Sequence, residues 1–196
     1  MRVVVVHAPV AATGPDHDAF TAAVTTARGA GHDVSAIDLQ AEGFAPVMSP
    51  AEREAYLGPS PLIGVETRRY ADLVTAAEVF VFVYPTTLTT VPALLRGWLE
   101  RVFVPGVAFV LDERTNKVRP GLTGVRRIIG VATYEDSRWS VLRERDNGRR
   151  MLLRALRLNT GIRTRTGWVA LHRATSATDA QRAAFVTRVE RRMTRL

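Results

Sequence analysis

Apolar residues fall along this chain in two alternating patterns: short continuous runs, and longer stretches repeating every three or four positions. Arg2 to His7 is mostly valine with no polar alternation, which predicts a strand covered on both faces of a sheet. Pro15 suits the first turn of a helix, and Phe20, Ala23, Val24 and Ala27 then recur on one helical face until Gly29 and Gly31 end it. Asp33 to Leu39 reads as a second strand. Ser49 with Glu52 forms a capping-box pattern opening a short helix inside an otherwise irregular stretch from Gln40 to Ile63. A helix over roughly Val65 to Ala76 leads into Glu78 to Tyr84, a strongly β-forming run closed by Pro85. Pro92 opens another helix with Leu94, Leu95, Trp98, Leu99 and Val102 inward. After an irregular segment rich in turn formers, Arg127 to Thr133 is a fourth strand. A long helix is expected within Trp139 to Leu158 and a fifth strand within Thr164 to His172. Thr178, with Gln181 as its box partner, starts a last helix that buries Phe185, Val189, Met193 and Leu196.

Strands alternating with helices imply a parallel sheet covered on both faces. Five such strands predict an α/β, flavodoxin-like, doubly wound sheet of order 2-1-3-4-5. No repeat or linker interrupts it, so residues 1–196 read as one domain.

Composition narrows the chemistry. A hydrophobic fraction of 46% with 23% charged residues is ordinary for a globular enzyme. The absence of cysteine removes disulfides, thiolate catalysis and cysteine-based metal sites. The formal charge of +8 is almost wholly arginine, since Lys117 is the only lysine. Its arginines are scattered along helices, which reads as solvated helix surface rather than a nucleic-acid face. No targeting signal is apparent, and no apolar run approaches the ~18 residues a membrane span needs, so a cytoplasmic protein without a membrane partner is expected.

Function classes drop out with their motifs. No glycine-rich dinucleotide fingerprint follows the first strand, and P-loop, G-x-S-x-G and H-E-x-x-H patterns are absent. His7, His17, His32 and His172 show no metal-ligand spacing, so no metal is expected. In a sheet of this order, ligands bind at the carboxyl ends of the strands where strand order reverses. Three loops, 7–18, 84–91 and 133–139, should therefore meet over one pocket.

The run from Tyr84-Pro85-Thr86 through Pro92-Ala93-Leu94-Leu95-Arg96-Gly97-Trp98-Leu99-Glu100-Arg101-Val102 to Pro105-Gly106-Val107-Ala108-Phe109 closely resembles the flavodoxin-like NAD(P)H dehydrogenase (quinone) family. Glu42 to Ser49, Glu52-Arg53, Thr133-Tyr134 and Arg138-Trp139 extend the resemblance over nearly the whole chain. It implies bound FMN or FAD, hydride transfer from NAD(P)H to a quinone-like or aromatic small molecule, and a homodimer. By the same resemblance Pro85, Thr86, Thr87, Leu88, Thr133, Tyr134 and Trp139 would hold the flavin ring, partly through backbone amides, with Asp16 and His17 at its phosphate end. Glu100-Arg101 would approach the cofactor or the dimer partner, or form a surface ion pair.

Departures from the family pattern fall in the same three loops. Thr87-Leu88 replace paired tryptophans, Glu135-Asp136 replace glycine, and Gly14-Pro15 followed by Asp16-His17-Asp18 alter the first loop. Acidic side chains at a helix N-terminus cap it themselves and repel a phosphate. A second reading therefore stays open, in which the scaffold has lost its flavin and performs acid–base chemistry on a small molecule with His7, Tyr84, Tyr134, Glu135 or Asp136. A third is a non-catalytic binding protein.

Overall fold

The computed structural model describes residues 1–56, 63–112 and 117–196. Part of the irregular stretch expected over 40–63 therefore lies outside the described residues. Five parallel strands, β1 (Arg2–His7), β2 (Asp33–Asp38), β3 (Val79–Pro85), β6 (Arg127–Tyr134) and β7 (Arg165–His172), hydrogen-bond in the order β2-β1-β3-β6-β7. With the intervening hairpin set aside, this is the expected 2-1-3-4-5. Valine and isoleucine fill these strands because both faces are covered. On one face Val3, Val5, Val81 and Val131 pack against α1 (Pro15–Gly29) and α8 (Asp179–Thr194). On the other, Val6, Phe82 and Ile128 pack against α3 (Val65–Ala76) and α4 (Ala93–Val102) around the buried Trp98.

Caps follow the sequence where it signals them. Ser49 and Thr178 both form complete capping boxes, opening α2 (Pro50–Ala55) and α8. The turn-rich segment, in contrast, holds a hairpin that the pattern did not reveal: β4 (Phe109–Asp112) pairs antiparallel with β5 (Lys117–Pro120). Every residue of β5 is exposed, so it lacks the apolar alternation that marks a half-buried strand.

The helix expected over 139–158 is broken. It appears as α5 (Arg138–Arg143), α6 (Asn147–Arg150), a π-helical segment (Met151–Ala155) and α7 (Arg157–Thr160). Arg145 and Asp146 have positive φ at the break, and Asp146 restarts the chain by accepting the Arg149 amide. The break brings Gly148 against the loop after β3, where a Cβ would lie 3.1 Å from the Thr90 carbonyl carbon. Among the described residues, no helix is long and apolar enough to cross a membrane.

Candidate functional site

Strand pairing sets what stands at the carboxyl edge. His7 pairs in register with Asp38, and Pro85 with Thr133. The loop after β1, entered by Val10 to Asp18, then meets Pro85, Thr133 and Glu135 over a cleft of about 610 Å³. Ala174, Thr175 and Arg182, from beyond β7 and from α8, complete it; nothing in the local pattern had singled them out. The three loops expected to meet do so through these residues. Of the segment 84–91, only Pro85, the last residue of β3, lines the cleft; Thr86, Thr87 and Leu88 do not.

Alternation along the strands separates the acid–base candidates. Thr133 and Glu135 share the α1–α8 face with His7, whereas Tyr134 is turned to the opposite face. There its hydroxyl donates to Asp146 Oδ2 at 2.6 Å. Burial, reinforced by the Asp146 carboxylate, pushes the Tyr134 phenol well above its usual range, so it stays protonated as a donor. Tyr84 is fully buried on that same face, and its phenol is likewise pushed up, first by burial. Tyr134 fronts a second concavity of about 740 Å³ along the edge strand β7. Arg138, Arg145, Arg149, Arg150, Arg154, Arg157 and Arg188 line it, with Asp146 as its one acidic side chain among the described residues. Glu135 accepts the Thr175 amide at 3.3 Å, tying two edge loops together. Asp136 is exposed outside the cleft, and Trp139, 80% exposed, lies on a separate surface. His7, Tyr134, Glu135 and Asp136 therefore do not form one catalytic group.

The closest constellation lies instead at the start of α1. His7 is fully buried, with Nδ1 2.9 Å from Asp38 Oδ2 and Nε2 3.0 Å from Asp16 Oδ2. The His17 ring stands edge-on to His7 at 4.6 Å, and its Nδ1 is 3.6 Å from the same Asp16 oxygen. Among the described residues, that nitrogen is buried without a hydrogen-bond partner. Phe20 stacks on the other side of His7 at 4.7 Å. A Cβ at Gly14 would lie 2.7 Å from Asp16 Oδ1, so the glycine leaves the space that the carboxylate fills. Burial alone would raise the Asp38 carboxyl, but hydrogen bonds from the Ala41 amide and His7 outweigh it and hold the group below its usual range.

This arrangement bears directly on a flavin. An anionic phosphate is drawn to a helix N-terminus, yet the buried Asp16 carboxylate already sits there, with Asp18 in the same turn. Among the described residues, Asp16, Asp18 and Glu135 face the cleft against Arg182 as its one arginine, and no lining residue but His17 carries an aromatic ring. At the ring end, the Thr86 amide donates to Thr133 O at 2.8 Å and the Thr87 amide to Thr90 O at 3.1 Å. These two amides are spent within the fold. Leu88 is 95% exposed at the tip of that turn, and both Leu88 and Thr89 have positive φ. The residues present do not fit a flavin nucleotide held by its phosphate at α1.

Arg101 does not pair with Glu100 as one sequence reading allowed. Glu100 meets Arg96 on the surface, while buried Arg101 bonds Glu52 at 2.8 Å.

The family model for a flavodoxin-like fold matches residues 1–191. NAD(P)H dehydrogenase (quinone) 1 of Cavia porcellus is 32% identical over 111 residues, 49% of this chain and 40% of the relative. The chain thus matches less than half the length of that relative. Among solved structures, the NAD(P)H:quinone oxidoreductase of Methanothermobacter marburgensis superposes with a TM-score of 0.84 at 16% identity, covering 99% of this chain and 98% of that one. An FMN-dependent NADH-azoreductase of Bacillus anthracis in complex with FMN gives 0.76 at 13% identity, covering 98% and 97%. At such identities the two structures speak for a shared fold.

Proposed function

This chain belongs to the Flavodoxin_2 family of flavodoxin-like folds, and from that premise we propose that it is an oxidoreductase of the NAD(P)H:quinone type. The acceptor is a quinone-like or aromatic small molecule in the carboxyl-edge cleft. The observation that carries this reading is the meeting of the β1, β3 and β6 edges over one cleft where strand order reverses. The curated relative, an NAD(P)H dehydrogenase (quinone), supports the reaction class. A homodimer belongs to the same reading, and light scattering measures it.

FMN or FAD is the cofactor this class brings with it, supplying a ring that takes up hydride and passes it on. Because Asp16 and the engaged amides of Thr86 and Thr87 do not fit such a nucleotide, no step is assigned through it. The same observation favours a second reading: a flavin-free enzyme doing acid–base chemistry on a small molecule. In it His17, at the cleft and beside Asp16, exchanges the proton, while Asp38 and His7 hold Asp16 in place.

One set of measurements separates the readings. Purified protein is titrated with FMN and FAD, and oxidation of NADH and NADPH is followed by the loss of reduced-nicotinamide absorbance, with a naphthoquinone acceptor. Quinone-dependent NAD(P)H oxidation supports the oxidoreductase. Protein that takes up neither flavin and oxidises neither nucleotide removes it and leaves the acid–base reading.

A further inference from the structure

We propose that His7, Asp16 and His17 form a binding site for a divalent transition-metal ion such as Zn²⁺, with Asp38 orienting His7 from behind. The proposal goes beyond the oxidoreductase reading and does not depend on it.

Geometry carries the argument. His7 Nε2 stands 3.0 Å and His17 Nδ1 3.6 Å from the same Asp16 Oδ2, so two imidazole nitrogens and a carboxylate oxygen gather at one point inside the protein. Among the described residues, the buried His17 nitrogen has no hydrogen-bond partner. A cation between the three gives that nitrogen a partner and meets the carboxylate at the same time.

Two of its ligand spacings are those of a metal site. Zinc–ligand bonds of about 2.0–2.1 Å in a tetrahedron place neighbouring ligand atoms about 3.3 Å apart, and the two measured edges, 3.0 and 3.6 Å, bracket that value. Asp38 belongs to the same cluster, since His7, His17 and Asp38 each place one ligand-capable atom within 4.8 Å of the others. A metal-bound histidine characteristically gives its second ring N–H to a carboxylate, which fixes the ring and raises its basicity; Asp38 stands in that position, 2.9 Å from His7 Nδ1. Asp38 is itself held by the Gln40 and Ala41 amides at 3.1 and 3.0 Å. Two imidazoles and one carboxylate suit zinc, or ferrous iron with open positions.

Asp16 and His17 line the cleft, so the remaining coordination position opens to it. It would take water or a carbonyl or phenolate oxygen of a small molecule. The site occupies the end of α1 where an anion would otherwise bind, and it gives the acidic first turn a charge partner.

The test uses the full chain, stripped with a chelator and titrated with Co²⁺ and Zn²⁺ by calorimetry and visible absorption. We expect one ion per chain, with the visible bands of four-coordinate Co²⁺. His17→Ala and Asp16→Asn should lower affinity at least ~100-fold by deleting a ligand. Asp38→Asn should lower it about 10–100-fold as a loss of outer support. His32→Ala, remote from the cluster, should leave it unchanged. His17 is partly exposed, so its removal should leave the fold intact by circular dichroism. Equal affinity of wild type and His17→Ala, or no stoichiometric binding, overturns the proposal. Since the readout is metal affinity, failure here leaves the NAD(P)H:quinone reading untouched, and flavin uptake with quinone turnover does not rescue the metal site.

Discussion

Replacing Glu52 by glutamine tests how the chain between β2 and α3 is pinned to the body of the protein. Glu52 Oε1 accepts Arg101 Nε at 3.2 Å and Nη2 at 2.8 Å, while Arg101 Nη1 donates to Ala45 O at 2.6 Å. Both side chains are 7% exposed. Removing one charge of a buried pair strands the other, at a cost of about 3–5 kcal/mol. The Ala45 carbonyl remains, and Glu66 stands 3.8 Å from the guanidinium, so the lower half of that range is expected. Glu52 Oε2 also accepts the Ser49 amide at 2.7 Å, a contact glutamine can keep. Ser49→Ala is therefore the control: it removes the cap alone, for about 0.5–2 kcal/mol. With a urea slope of about 2 kcal/mol per M, Glu52→Gln should lower the unfolding midpoint by roughly 1.5–2 M. The double variant Glu52→Met/Arg101→Met should recover most of that loss, because an apolar pair leaves no stranded charge. A Glu52→Gln midpoint within ~0.5 kcal/mol of Ser49→Ala would refute the reasoning.

The same pair sets a pH dependence. Burial would raise the Glu52 carboxyl, but hydrogen bonds from Arg101 and from the Ser49 amide hold it below its usual range. Its folded value is thus lower than its unfolded one. The stability it contributes is present above about pH 4.3 and is lost as pH falls through the folded value. Asp38 acts in the same direction. Unfolding midpoints should fall below that pH, and the fall should be smaller in Glu52→Gln.

Three further outcomes follow from the packing. Tyr56, Tyr70, Tyr84 and Tyr134 are all pushed above the usual phenol range, first by burial, Tyr70 to about 12. Phenolate absorbance should therefore lag that of free tyrosine at about pH 10; with folded values above unfolded ones, that stability is lost as pH rises through them, and the absorbance should appear together with unfolding. Thr89→Gly should raise the melting temperature by the equivalent of about 1 kcal/mol, since Leu88 and Thr89 hold the left-handed conformation that hairpin turns reserve for Asn-Gly; a lower melting temperature would contradict it. Gly130→Ala should cost about 1–3 kcal/mol in urea unfolding, because a Cβ there would overlap the Trp168 ring.

Strand order was legible because β1, β3 and β6 are buried on both faces and so written in nearly continuous apolar residues. The β4–β5 hairpin was not, since its exposed strand Lys117–Pro120 carries no core-facing pattern. The long helix failed for a different reason. Its apolar residues stop at Leu142 and resume at Met151; in the polar run between them Gly148 must approach Thr90, and Asp146 both turns the chain and receives Tyr134. Such a break answers to a distant loop, which local periodicity does not record.

The candidate site divides along the same line. That three loops meet follows from strand order, whereas the facing of each side chain follows from register, and a one-residue step exchanges the faces. Tyr134 and Glu135, neighbours in sequence, therefore stand on opposite sides of the sheet. The pairing of His7 with Asp38 was within reach: two adjacent parallel strands each end in a titratable residue, and order 2-1 makes them neighbours. Asp16 was harder to place, because an acidic residue in the first turn of a helix reads as a solvated cap. Here Gly14 makes room for that carboxylate to fold inward onto His7. Once it does, the helix end that would receive a ligand's anion already carries one from the chain. The cleft can then recruit a cation or a neutral molecule more readily than a phosphate. Family membership constrains the scaffold, and this inward turn of Asp16 constrains what the scaffold can hold.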